Sequence, residues 1–187
     1  MLDVRSAVIT ALLLVQLSVA QAQTTSATNE IVQLPQAMPV HLWSPDHQSM
    51  LVADALPLNY VGEKYVWLEG ADGRNRRLVK QYGRSLSLGW APDSNTFFVN
   101  DAWASDREDC EIVDPRSLKT IDVAKLLADK PDDLRYLVAG HRYIVAERWI
   151  DSKTLLVKLY GHFNDPPAAS FHLTYSVSLD DTTRFRP

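Results

Sequence analysis

Two segments of this chain repeat one pattern, in which a tryptophan precedes a tight turn and a short apolar strand. The first copy starts at Trp43 and continues Ser-Pro-Asp, and the second starts 47 residues later at Trp90 and continues Ala-Pro-Asp. A weaker third copy starts at Trp149 and keeps the acidic turn residue Asp151 and the apolar run, without the proline. Internal repeats with a period of roughly 20 to 50 residues are typical of stacked, similar units. The repeat therefore predicts a scaffold of β-units, with the three tryptophans buried between them.

Each copy opens a predicted unit of four strands. The first unit has predicted strands at residues 41–44, 49–53, 64–69 and 76–80. The second has them at 85–91, 96–100, 110–114 and 119–122, and the third at 143–149, 154–160, 171–179 and 183–185. The Pro-Asp pairs after Trp43 and Trp90 fit type I turns, and Asp72-Gly73 is a strong hairpin signal.

A short helix is expected between the second and third units. Asp122 can cap it, the alanines and leucines of residues 124–128 favour a helix, and Pro131 would end it. The sequence thus predicts an all-β fold with a short helical insertion near residues 123–130.

Residues 65–79, in which a strand runs into Asp72-Gly73, and the later turn of Trp90 resemble the repeat of TolB-type, WD-repeat-like β-propellers. The resemblance covers about residues 40–122 well and 143–185 more loosely. It implies a partial or open β-propeller-like stack of about three four-stranded antiparallel blades. The chain departs from the family at the glycine that closes the turn, which is replaced by His47, Ser94 and Lys153.

Three blades are fewer than the roughly four to eight of closed propellers, so the resemblance leaves three arrangements open. Residues 31–34 and the C-terminus could build a degenerate fourth blade. The stack could stay open, with residues 31–34 beside the third unit and the helix over one flank. Alternatively, two chains could complete each other as a homodimer with a six-bladed ring.

The N-terminus has the pattern of an export signal. Arg5 precedes a mostly apolar stretch at residues 7–20, and Ala20-Gln-Ala22 is a small-x-small cleavage pattern. The stretch is shorter than the roughly 20 residues that span a bilayer, which disfavours the alternative of an uncleaved anchor. We therefore expect a signal peptide at 1–22, a disordered leader at 23–30 and one β-propeller-like domain at 31–187. The mature protein would be periplasmic or secreted, without a membrane span.

The net charge narrows the classes of partner, and the cysteine content narrows the ways in which the fold can be held together. The formal net charge of −4 argues against nucleic acid and anionic membrane surfaces. Cys110 is the single cysteine, so no internal disulfide can hold an exported chain together. We expect it to pack as a small apolar side chain, although intermolecular pairing and a reactive thiol remain alternatives.

The long connections of the predicted units fall on one side of the scaffold. They span residues 54–63, 102–109, 123–140 and 161–170, whereas the turns on the other side are short. Long loops on a rigid scaffold are where binding residues concentrate. The candidate binding residues are Tyr60, Trp103, Asp106, Glu108 and Phe163, with Asp109 and Asp165 nearby. Such an aromatic and acidic face suits a basic or apolar protein surface, or a sugar stacked on Trp103.

No catalytic motif accompanies these residues. The sequence has no Gly-x-Ser-x-Gly, no His-Glu-x-x-His, no paired cysteine ligands and no glycine-rich phosphate loop. The five histidines show no ligand spacing, and the acidic loop lacks the glycine and the terminal glutamate of a calcium hand, so neither a metal nor a cofactor is expected.

The preferred hypothesis is an exported, non-catalytic module that binds another protein in the cell envelope or outside the cell through its long-loop face. The enzymatic alternative is a small carbohydrate-directed hydrolase or lyase that uses Asp106, Glu108 or Asp109 with His162. A third alternative is a repeat protein that assembles only with itself.

Overall fold

A computed structural model of the chain describes residues 30–56, 61–128, 134–164 and 169–179. Of these residues, 54% lie in strands and 7% in helices, and the strands form two sheets. The predicted all-β class is therefore confirmed. The predicted signal peptide, almost all of the predicted leader, the strand at 183–185 and the candidates Tyr60 and Asp165 lie outside the described residues.

The first unit forms the smaller sheet. Its strands are β2 (Val40–Trp43), β3 (Ser49–Ala53), β4 (Lys64–Gly70) and β5 (Arg77–Tyr82), which pair antiparallel in chain order. The observed bounds of β3 are the predicted ones, and the other three strands lie within two residues of their predicted positions at each end.

The second unit belongs to the larger sheet and contains β6 (Ser85–Trp90), β7 (Phe97–Ala102), β8 (Arg107–Val113) and β9 (Thr120–Asp122). A strand from the start of the chain, β1 (Val32–Leu34), pairs antiparallel with β6, with Leu34 opposite Leu86. The alternative that placed residues 31–34 beside the third unit was therefore wrong. Val32 and Leu34 are buried against the first and second units, and this burial explains the position of β1.

The third unit continues the larger sheet with β10 (His141–Trp149), β11 (Thr154–His162) and β12 (Ser170–Ser178), which pair antiparallel in order. It joins the second unit through a short parallel ladder between β8 and β10. In that ladder Arg142 lies opposite Arg107 and Tyr143 lies opposite Glu108.

Two helices separate the second and third units. Helix α1 (Val123–Ala128) starts directly after β9, and the Asp122 carboxylate accepts a hydrogen bond from the Ala124 N–H at 2.9 Å, as predicted for its cap. Helix α2 (Leu134–Leu137) is a single turn that the sequence did not predict.

The core consists of two clusters, one on each face of the second unit. Side chains alternate between the two faces of a strand, so neighbouring residues of β7 enter different clusters. Phe97 packs with the first unit, whereas Phe98 packs with the third. Cys110 is fully buried in the second cluster, where burial raises the pKa of its thiol, as expected for a structural cysteine.

The same tryptophan contact links each unit to the one before it. The Trp90 indole N–H donates to the carbonyl oxygen of Leu42, and the Trp149 indole N–H donates to that of Gly89, both at 3.1 Å. Leu42 and Gly89 are the residues that directly precede Trp43 and Trp90. The repeat in the sequence therefore corresponds to a repeated contact in space.

Trp43 departs from the prediction that all three repeat tryptophans are buried. Trp90 and Trp149 are 5% and 1% exposed, whereas Trp43 is 39% exposed. The prediction was wrong for Trp43 because the first unit has no described unit on its tryptophan side. The same local pattern therefore gives a different environment in the first unit.

The turns after the tryptophans share one local structure. The carboxylates of Asp46, Asp93 and Asp151 each accept a hydrogen bond from the backbone N–H two residues further on, at 2.7 to 3.1 Å. His47 and Ser94, at the position where the repeat that the sequence resembles has glycine, have φ of 56° and 63°, in the left-handed region that glycine adopts most readily.

Candidate functional site

Trp103 is the exposed aromatic residue of the candidate site. It follows β7, its side chain is 53% exposed, and its indole N–H donates to Asp109 Oδ2 at 2.8 Å. The other oxygen of Asp109 forms an ion pair with Arg142, which is mostly buried. The ring is therefore exposed to solvent and at the same time held in one orientation.

Arg142 connects three parts of the site. Its guanidinium donates to the carbonyl oxygen of Leu137 at the end of α2, at 2.8 Å, as well as to Asp109 in β8. Its backbone N–H donates to the carbonyl oxygen of Asp106 at 2.9 Å. Asp106 thus takes part in the site through its main chain. Arg142 fixes the loop of Trp103 against the start of the third unit.

Three acidic side chains lie close together behind Trp103. Burial, and then the negative charges of Asp101 and Asp109, raise the pKa of Glu108. Burial also raises the pKa of Asp101, and the positive charge of Lys80 offsets only part of this increase. A positive charge placed near Glu108 would therefore favour its ionised form.

Lys80 is the cation that the first unit supplies to this acidic group. Its Nζ lies 3.2 Å from Asp101 Oδ2 and 3.1 Å from Glu111 Oε2. Burial alone would lower the pKa of Lys80, but attraction from Glu111 and Asp101 outweighs burial and raises it. Lys80 is therefore a charged link between the first and second units. Its ion pairs are with Asp101 and Glu111, and among the described residues no cation forms an ion pair with Glu108.

An open groove of about 650 Å³ lies next to the acidic group, on the outer face of β10, β11 and β12. Tyr143 and Tyr160 stack in it with ring centroids 5.0 Å apart, and His172 contacts Tyr160 edge-on. The Tyr143 hydroxyl donates to the carbonyl oxygen of Ser105 at 2.8 Å, which ties the groove to the loop of Trp103. Burial, and then the charge of Glu108, raises the pKa of Tyr160.

Phe163 lies at the same end of the sheet and packs against other aromatic side chains. Its ring centroid is 6.0 Å from that of Tyr136 and 5.3 Å from that of Phe171, so it is part of an aromatic cluster beneath α2. His162, the histidine of the enzymatic alternative, is stacked on His141 with centroids 3.9 Å apart.

The structure places most of the site residues predicted from sequence at one end of the strands β8, β10 and β11. Trp103, Asp106 and Glu108 surround the start of β8, and Phe163 follows the end of β11. The pairing of Arg142 with Arg107 and with Gly161 brings these strand ends side by side. Arg142, Tyr143, Tyr160, Lys80 and Asp101 were missed; the only sequence signal was the alternation of polar and aromatic residues along β10 and β11.

A second, smaller cavity of about 210 Å³ lies among the short turns on the opposite side. Its charged residues are engaged locally: Asp93 accepts from Asn95, and Asp114 accepts from the backbone of Arg116 and from Ser117. These contacts give the cavity residues a turn-stabilising role.

Three properties of the chain complete the description of the site. Within the described ranges, no group of three or more His, Cys, Asp or Glu side chains is arranged to hold a metal ion. No helix in the described part of the chain is long and apolar enough to cross a membrane. Comparisons with models of protein families, with curated proteins and with solved structures gave no match.

Proposed function

We propose that this protein is a non-catalytic, β-propeller-like module of the TolB type, exported to the periplasm or out of the cell, that binds another protein. Binding occurs through the loop face, which we define as Trp103, Asp106, Glu108 and Asp109. The observation that carries the proposal is the exposed Trp103 ring fixed by Asp109, which is itself fixed by Arg142.

A fixed, exposed tryptophan suits a protein interface for an energetic reason. Ordering a mobile side chain on binding costs about 0.5–1.5 kcal/mol, and here the ring is already ordered in the free protein. Tryptophan is also among the residue types that most often contribute strongly to binding energy.

The charge of the loop face indicates the kind of partner. Burial first, and then the charges of Asp101 and Asp109, raise the pKa of Glu108, so a cation that a partner brings next to Glu108 would favour its ionised form. Complementary charge of this kind favours encounter with a basic surface and disfavours acidic ones. We therefore propose a partner that presents a basic side chain beside an apolar one, with the apolar group seated on Trp103.

The propeller-like architecture is part of the proposal. It is supported by the three units of the sequence, by the two core clusters on either side of the second unit and by the repeated tryptophan contact. The long connections on one side of about three blades would keep the loop face accessible on a rigid scaffold.

The test uses two matched exposed apolar residues. Trp103→Ala removes the fixed ring, which is 53% exposed, and Ile150→Ala removes a side chain that is 48% exposed in the short turn between β10 and β11, on the side opposite the loop face. The purified protein and both variants serve as bait in envelope extract, and captured proteins are quantified by mass spectrometry. A partner retained by Ile150→Ala and lost by Trp103→Ala is expected, with binding of Trp103→Ala to the purified partner weakened about 30-fold or more. Equal capture by all three baits would contradict the loop-face proposal.

One observation favours the enzymatic alternative as a second candidate. Glu108, with its raised pKa, lies beside a groove lined by Tyr143 and Tyr160, and a carboxyl group with raised pKa is what a general acid in glycoside hydrolysis requires. Release of reducing ends from a panel of polysaccharides is the assay. Activity in the wild type that is lost in Glu108→Gln would replace the binding proposal, and no activity in either leaves binding as the function.

A further inference from the structure

The first unit has one sheet face that no described unit covers. We call it the end face and define it as Trp43, Met50, Val52, Tyr65 and Trp67, which alternate with the core residues of β2, β3 and β4. It is aromatic and apolar, and Met50 and Val52 are buried on it although they belong to neither core cluster.

The equivalent faces of the other two units are both docked. The residue opposite the tryptophan is Met50 in the first unit, Phe97 in the second and Leu155 in the third. Phe97 is completely buried against the first unit, and Leu155 is completely buried against the second. This type of face is therefore used as an interface wherever a neighbouring unit is present.

The hydrogen bond that accompanies this docking is missing at the end face. Trp90 and Trp149 donate to the carbonyl oxygens of the residues that precede the previous tryptophan. The ring centroid of Trp43 lies 5.9 Å from that of His47, but its indole N–H has no acceptor among the described residues. If Trp43 followed the same pattern against a third unit, its acceptor would be the carbonyl oxygen of the residue before Trp149, which is Arg148.

We propose that the end face is occupied by the outer face of the third unit of a second copy of this chain. In this arrangement Trp43 donates to the carbonyl oxygen of the partner copy's residue 148. A head-to-tail contact of this kind closes into a ring when the rotation fits. Two copies would place six units in the ring, within the roughly four to eight of closed propellers, whereas three copies would exceed that number.

The outer face of the third unit has the features that the contact needs. Leu156 lies opposite Arg148, as Leu51 lies opposite Leu42 in the contact that receives Trp90. Tyr143 and Tyr160 add an aromatic surface, and the adjacent open groove provides space for a large side chain such as Trp43.

Charges at the edges of the two faces are also complementary. The end face carries Arg76, whose Nε lies 3.3 Å from Glu69 Oε1, and the outer face carries an ion pair between Lys158 and Glu147. Arg76 also lies 3.9 Å from Asp54 Oδ1, and each face thus carries both signs of charge, so ion pairs can form across the contact.

The experiment is the measurement of molar mass by light scattering, for the purified protein and two variants. Trp43→Glu blocks the end face, and Val145→Glu blocks the outer face at a half-buried residue of the groove. The wild type is expected at twice the chain mass at micromolar concentration, and each variant at the chain mass. Trp103→Glu on the loop face is the matched control, and it should stay dimeric.

Mixing the two variants tests the head-to-tail geometry. One intact junction remains between the unmutated end face of one variant and the unmutated outer face of the other, so the mixture should regain a species of dimer mass. Circular dichroism verifies that each variant is folded, and Lys158→Glu replaces Val145→Glu if that variant is not.

Three outcomes would overturn the proposal. A strictly monomeric wild type would show that no second copy covers the end face. A dimeric Val145→Glu or Lys158→Glu would show that the outer face is not used. A mixture that stays monomeric would exclude the head-to-tail contact. None of these results concerns the loop face, whose test is independent.

Discussion

The side-chain amide of Asn100 forms hydrogen bonds with both backbone polar groups of Ala146. Asn100 Oδ1 accepts from the Ala146 N–H at 2.8 Å, and Asn100 Nδ2 donates to the Ala146 carbonyl oxygen at 3.0 Å. Asn100 Nδ2 also donates to Ser87 Oγ at 2.7 Å. All three contacts are buried. The amide thus supplies the two hydrogen bonds that a paired strand would give to Ala146. It does so between β7 and β10, next to the parallel ladder of β8 and β10, which has only two residue pairs.

Replacement of this amide should be strongly destabilising. In Asn100→Leu, the buried N–H and C=O of Ala146 lose their partners while the volume stays similar, so we expect a loss of about 2–4 kcal/mol in the free energy of unfolding. Urea denaturation followed by circular dichroism measures it. Ser87→Ala is the control, with an expected loss of about 1 kcal/mol because both bonds to Ala146 remain. Equal losses in the two variants would contradict the role of the amide.

The repeat tryptophans should differ in their contributions to stability. Trp90→Ala removes a buried ring that packs on Phe97 with centroids 4.9 Å apart, and should lower the free energy of unfolding by about 3–5 kcal/mol. Trp103→Ala, at an exposed residue, should change it by about 0.5 kcal/mol or less. A denaturation midpoint unchanged by Trp90→Ala would refute the assignment of the core.

Substitution by glycine should have opposite effects on stability in the turns that follow Trp43 and Trp149. His47 has a left-handed φ of 56°, which costs an L-residue about 1–2 kcal/mol and glycine nothing. After the entropy that glycine loses on folding is subtracted, His47→Gly should stabilise the protein by about 0.5–1 kcal/mol. Lys153 is not among the described residues with positive φ, so Lys153→Gly should destabilise it by about 0.5–1 kcal/mol. The two melting temperatures, measured side by side, check this; shifts of the same sign would contradict it.

Glu108 should make stability fall as the pH rises from acid to neutral. Burial first, and then Asp101 and Asp109, raise its pKa above the ordinary 4.5, so between the two values the folded state binds more protons than the unfolded state. Stability therefore decreases as the pH rises through the folded pKa. Glu108→Gln should raise the melting temperature at neutral pH and change it little well below pH 4.5.

Asp46 is the control of opposite sign for this pH dependence. The Ser44 hydroxyl, as the largest contribution, lowers the pKa of Asp46 below its ordinary 3.8. Its contribution to stability is present above pH 3.8 and is lost as the pH falls through the lowered value. Asp46→Asn should therefore lower the melting temperature at neutral pH. A profile of melting temperature against pH in which both variants shift in the same direction would be inconsistent with these assignments.

The sequence was sufficient where structure is set locally. β3 was predicted residue for residue, because a Pro-Asp turn precedes an apolar run, and α1 starts where Asp122 caps it. The sequence was insufficient where a neighbour decides. Trp43 has the same local pattern as Trp90 and differs only in lacking a unit beside it, and no local pattern in residues 31–34 specifies β6 as the partner.

The candidate site shows the same division. Trp103, Asp106 and Glu108 were found because they lie in or beside a connection that the strand pattern made long. Arg142, which is 33 residues from Asp109 in sequence, could not be found, because only the parallel ladder between β8 and β10 brings the two together. Phe163 stays a predicted binding residue; its packing against Tyr136 could not be foreseen, because α2, which supplies Tyr136, was not predicted.

The pairing of β1 with β6 constrains the order in which this chain can fold. Val32 pairs with Leu88, and the whole first unit lies between them in sequence. During synthesis the N-terminal residues emerge first, so β1 has no partner until β6 has left the ribosome. The cluster that buries Val32, Leu42 and Trp90 can be completed only then, so we expect the first two units to fold together rather than one after the other.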